Sequence, residues 1–184
     1  KRNKFMMDFI AYLNSSEGLA KLTTDRFLLI LLVIVLTSFK RAAYKSMWLA
    51  VLINLPGTVL HECAHFVVGI LLNAKPVSFS LFPKKVDDHY VTGQVGFSNL
   101  KFYNALPVSM APLLLLFAAY FVNKHMFDFV PLNFATYLIH IFLLTILIEN
   151  AIPSRMDFYQ GFRRVLGLIL YGAIFMVMVV AYSQ

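Results

Sequence analysis

From residue 27 onward the chain is a succession of apolar runs separated by short polar or basic segments. Four of the runs, 47–72, 106–122, 132–148 and 165–182, have 17 to 26 residues each, in or above the range of about 17–25 that a membrane-crossing helix takes. A fifth, 27–39, has thirteen residues closed by Lys40 and Arg41. It crosses only if it draws in residues from about Leu22, with Asp25 and Arg26 at the interface; a re-entrant or interfacial helix is the other reading. Between 73 and 101 the period changes. Val77, Phe79 and Leu81 alternate with Ser78 and Ser80, and Val91, Gly93, Val95 and Phe97 alternate with Thr92 and Gln94. Alternation with period two predicts strands, and Pro83, Lys84, Lys85, Asp87 and Asp88 between them supply a polar turn. The pattern therefore predicts an all-α polytopic membrane protein of four to five transmembrane helices. A small β-hairpin is inserted between the 47–72 helix and the next span, outside the bilayer core or at its edge.

Composition agrees with that pattern. Hydrophobic residues make up 60% of the 184 against about 45–50% in soluble domains; charged residues are 14% and the mean hydropathy is +0.74. An ordinary water-soluble domain and a disordered chain are both excluded. Sixteen Lys and Arg against nine Asp and Glu leave a charge of +7. Because the basic residues cluster between the apolar runs, the expected partner is the lipid bilayer and not nucleic acid. With all five runs spanning, the segments before 27, 73–105 and 149–164 carry 5, 4 and 3 Lys or Arg, and the opposite loops 3, 1 and 0. The resulting 12 to 4 division expects the amino terminus, the hairpin and the ends of the 47–72 and 132–148 spans on the cytoplasmic side. A single cysteine, Cys63, allows no intramolecular disulfide. No signal-peptide pattern, internal repeat or glycine-rich phosphate loop is visible.

Candidate chemistry sits inside the second run. His61-Glu62-Cys63-Ala64-His65 occupies a stretch free of other charge, just after Pro56 and Gly57, where a kink or local opening is expected. Histidines four apart share a helix face and can reach one ion, and neutral imidazole is a preferred zinc ligand. Glu62, displaced around the helix, suits a general base that takes a proton from water. Three ionisable groups within five residues of a membrane span are costly unless a metal compensates them. Cys63 points away from the pair and is expected to be a small buried hydrophobe; His140, in the middle of the 132–148 run, is expected to be a hydrogen-bonded core histidine. Asp87, Asp88 and His89 are expected to form a solvated turn and not a metal site.

A catalytic metal usually takes three protein ligands. Asp8, Glu17 and Asp25 precede the spans, Asp87 and Asp88 fall in the hairpin turn, and Asp128 falls on the far side. Glu149 and Asp157 remain, both following the 132–148 span on the side where the His61 helix ends.

In this region the sequence resembles the site-2 protease family of intramembrane zinc metalloproteases, as a divergent member. His61, Glu62, His65, Asn150, Pro153 and Asp157 match its motif residues in order, and the resemblance covers roughly residues 47–160, with a strand-rich insertion after the motif helix. Ala111-Pro112 is similar to a small-residue and proline pattern of the family. Phe158 stands where the family usually has Gly, and no Asn follows Pro112. The resemblance implies Zn2+ held by His61, His65 and Asp157, Glu62 as the catalytic base, and Asn150 at the substrate or oxyanion. It also implies a membrane-protein substrate cut in or near its own span. The expected organisation is a single integral membrane domain over 1–184: an amino-terminal segment and first span in 1–46, a metalloprotease core in 47–160, and a last span in 161–184. The alternatives are a membrane zincin using Glu149 as ligand on exposed segments, and a non-proteolytic metal-binding membrane protein.

Overall fold

The computed structural model describes residues 2–24, 26–43, 46–81, 84–86, 89–91 and 93–183. The elements run α1 (Arg2–Leu13), α2 (Ser16–Thr24), α3 (Arg26–Ala43), α4 (Met47–Leu71), β1 (Pro76–Ser80), β2 (Lys84–Val86), β3 (His89–Val91), β4 (Gln94–Phe97), α5 (Ala105–Ser109), α6 (Leu114–Phe129), α7 (Phe134–Asn150), α8 (Arg155–Phe162) and α9 (Val165–Tyr182). The chain is thus mainly helical with a small antiparallel sheet. It divides into two compact units, Lys1–Ile53 with Ala119–Ile146 and Asn54–Ala118 with Leu147–Gln184.

Among the described residues two helices are long and apolar enough to cross a membrane, Leu49–Leu71 and Val165–Tyr182; Phe134–Asn150 and Arg155–Phe162, bent by 44° at the break between them, could together supply a third. The expected helix over 106–122 does not form as one piece. The chain makes α5, a 3-10 turn over Ala111–Leu113, and only then α6. Pro112 has no N–H to donate and its ring obstructs the preceding turn, so the helix resets at Met110, whose φ of −90° and ψ of 2° fall outside helical values. α6 and α7 have 16 and 17 residues, about 24–26 Å of helix. α3 carries Arg26, Lys40 and Arg41 within its 18 residues. α4, by contrast, runs without interruption through Pro56.

In the first unit Ser15 accepts from the Gly18 N–H at 3.1 Å at the start of α2, and the Asn14 side chain accepts from the Phe134 N–H at 3.1 Å. His140 is buried, its Nδ1 3.3 Å from Met126 Sδ, with the Phe127 and Tyr137 rings around it. It is a core histidine as expected, with a thioether as its hydrogen-bonding neighbour.

The second unit holds the sheet. β1 and β4 pair antiparallel with Phe79 opposite Val95 and Ser80 opposite Gln94, and a bulge lies between Pro76 and Ser78. The expected single hairpin is elaborated by a second ladder, β2 with β3, so Val91 belongs to β3 and not to the strand carrying Val95. Asp87 and Asp88 lie outside the described residues. The sheet is fastened to α4 by the Phe79 ring against Phe66 at 5.7 Å and by the Phe97 ring, which lies where a side chain on Gly69 would begin. At the end of α4, Ser98 and Asn99 donate to the Lys75 and Ala74 carbonyls, both at 3.0 Å. Asn104, fully buried, donates to the Leu72 and Asn99 carbonyls and accepts from the Lys101 N–H. Every polar atom of that side chain is satisfied, as burial demands.

Candidate metal centre

α4 sorts its residues by face. Thr58, His61, Glu62, His65 and Gly69 fall at helical spacing on one side, toward the sheet and α8, whereas Leu60, Val67 and Ile70 are exposed on the other. Cys63 lies with the second group and is exposed, not buried. The expected direction holds, but the thiol is exposed where burial was expected.

Each histidine ring is held by a backbone carbonyl. His61 Nδ1 donates to the Asn150 carbonyl at the end of α7, and His65 Nδ1 donates to the Val108 carbonyl in α5, both at 2.8 Å. Carbonyl oxygens only accept, so these partners assign the proton to Nδ1 and leave a lone pair on each Nε2. The two Nε2 atoms are 3.2 Å apart. Asp157 closes the group, with Oδ1 3.3 Å from His65 Nε2 and Oδ2 3.5 Å from His61 Nε2.

In the neutral rings, three acceptors therefore meet with no proton among them, an arrangement that calls for a cation. The spacing suits one. Four ligands placed tetrahedrally at about 2.0–2.1 Å from an ion lie about 3.3 Å from one another. One donor atom from each of His61, His65 and Asp157 lies within 4.8 Å of the others, close enough to hold a metal ion. Carbonyls on the far ring nitrogens are the usual means of orienting metal-binding imidazoles.

Asp157 is presented by the first turn of α8. Its Oδ2 accepts from the Ser154 N–H at 2.7 Å, and Ser154 Oγ accepts from the Asp157 N–H at 3.2 Å, a reciprocal capping box. The Ser-x-x-Asp spacing at 154–157 is a sequence signal for that cap, and Ser154 is the residue that the motif reading passes over.

Glu62 is buried beside the cluster and outside it. Glu149 is exposed, lines the same cavity and is not among the clustered ligand atoms. The Asn150 side chain rests against Gly57, where any Cβ would collide with its amide, so glycine is what lets the α7 terminus approach α4 and deliver the His61 acceptor. The cavity in front of the cluster, about 480 Å³, is walled by Gly93, Gln94 and Val95 on the sheet side and by Asn150, Ser154 and Gln160 on the other. The arrangement can hold an ion and place a buried carboxylate beside it.

Neither a family model, nor a curated protein, nor a solved structure matches the chain.

Proposed function

We propose that the protein is a zinc-dependent membrane endopeptidase that hydrolyses peptide bonds of other membrane proteins in or near their transmembrane segments. The observation that carries the reading is the meeting of two carbonyl-oriented Nε2 lone pairs and one carboxylate, with Glu62 alongside but outside the ligand set. Two histidines and an acid match the three-ligand pattern of catalytic zinc, and a site that only stores metal has no use for the additional buried carboxylate. A four-to-five-span topology with the site toward the cytoplasm belongs to the same proposal, supported by the apolar helices and the asymmetry of basic residues.

A zinc ion held by His61, His65 and Asp157 supplies Lewis acidity, acidifying water and polarising a carbonyl. Glu62 takes the proton of the attacking water and returns it to the leaving amine. The Asn150 amide, in the cavity wall, is the candidate donor to the developing oxyanion. A peptide bond must leave its helix to be attacked, and the neighbouring strands offer an edge on which an unwound segment is held extended.

Glu62→Gln is the direct test. Metal content should remain that of the wild type while turnover of a quenched-fluorescent single-span peptide in detergent falls by at least about 100-fold. Undiminished turnover removes the general-base assignment. Asp157→Ala compared with Glu149→Ala separates the two candidate third ligands, since only the first should lose metal.

A further inference from the structure

We propose that Ser109, the last residue of α5, is a substrate-binding residue whose hydroxyl hydrogen-bonds the main chain of the peptide held in the cavity. The inference deepens the peptidase reading and rests on it. Ser109 is only 3% exposed and lines the cavity in front of the cluster, yet its Oγ has no hydrogen-bond partner among the described residues. Every fully enclosed side-chain nitrogen or oxygen among those residues is partnered, so a hydroxyl without a partner is one that opens onto the cavity. A helical serine or threonine commonly returns its hydroxyl to a carbonyl one turn back, as Thr37 and Thr145 do. Ser109 does not.

Its place is fixed from two sides. The preceding residue, Val108, gives the carbonyl that holds His65 Nδ1. The helix that carries Asp157, α8, closes on Ser109 through Gly161, where a Cβ would lie 3.1 Å from Ser109 Cβ and 3.3 Å from Leu106 Cδ1. The elements that aim two of the ligands therefore also place this hydroxyl. On the sheet side Gly93 presents main chain alone, since a Cβ there would lie 2.6 Å from Glu62 Oε1. What the hydroxyl can bind follows from the chemistry of the substrate. A membrane-spanning segment brings mostly apolar side chains, and its N–H and C=O groups are satisfied within its own helix. Opening that helix for cleavage frees those groups where water is scarce, and each then needs a new partner. A serine hydroxyl donates to a carbonyl or accepts from an N–H, so it serves either without selecting a side chain. Peptide binding supplies the partner that the fold does not.

The test uses the full chain in detergent carrying Glu62→Gln, so that a fluorescently labelled single-span peptide binds without being cut. Adding Ser109→Ala should raise the Kd of that peptide about 3- to 10-fold, the effect of one neutral hydrogen bond, with bound metal unchanged. Without peptide, the midpoint of thermal unfolding should stay the same or rise, because removing a hydroxyl that has no partner in the fold breaks no internal bond. A serine with a structural role would lower it instead. An unchanged Kd, or a midpoint lower by about 3 °C or more, overturns the inference and leaves the peptidase reading standing. Failure of the peptide to bind Glu62→Gln, with or without Ser109→Ala, overturns the peptidase reading, and this inference falls with it.

Discussion

His65 and His140 are each 5% exposed and each sits within a long apolar helix, so neither burial nor helix context tells them apart. Their neighbours do. His65 has a carbonyl on Nδ1 and two further ligand atoms facing Nε2, whereas His140 has the Met126 sulfur on Nδ1 and the rings of Phe127 and Tyr137. A thioether is a weak acceptor and leaves the tautomer open; a carbonyl settles it. What makes a buried histidine a ligand is the group behind the ring, which aims the lone pair, together with a second and a third acceptor in front.

The strongest test of that contrast is the pair His65→Ala and His140→Ala. The first should weaken metal binding by more than about 100-fold, beyond the 10- to 100-fold typical of losing a supporting partner. The second should leave metal per chain at the wild-type value and cost about 1–3 kcal/mol of stability. Elemental analysis of detergent-purified protein checks both, and metal lost from His140→Ala would break the comparison. Gly57→Ala sharpens it at the supporting level. The new methyl displaces the Asn150 side chain and with it the carbonyl behind His61, so affinity should fall about 10- to 100-fold with all three ligands still present. Ser154→Ala should do least. It removes the hydroxyl of the α8 cap at about 1 kcal/mol, seen as a lower midpoint of thermal unfolding, while Asp157 keeps its bond to the Ser154 N–H and metal affinity drops less than about tenfold.

The histidine pair was legible because helical spacing alone puts His61 and His65 on one face, and the sheet because period-two alternation spans both Phe79 and Val95. Asp157 was reachable only by elimination and resemblance, since 92 residues separate it from His65 and the contact is made by the fold. The carbonyls of Val108 and Asn150 have no signature, because every residue has one; only three-dimensional placement selects them. Pro112 did carry a signal. A proline inside an apolar run marks a break, and hydropathy over 106–122 masked it, just as the same averaging hid the exposed side of Cys63. Gly57 and Gly93 were visible as glycines, but the close approaches that require them depend on Asn150 and Glu62, which are distant in sequence.

The capping box at Ser154–Asp157 has a consequence for how metal is exchanged. The carboxylate is ordered by hydrogen bonds within its own helical turn, so the entropy of fixing this ligand is lost when the polypeptide folds and not when an ion arrives. An ion reaching His61, His65 and Asp157 would then meet a finished socket, without coupled folding, and a chelator should strip and a metal buffer restore the centre while α8 keeps its shape.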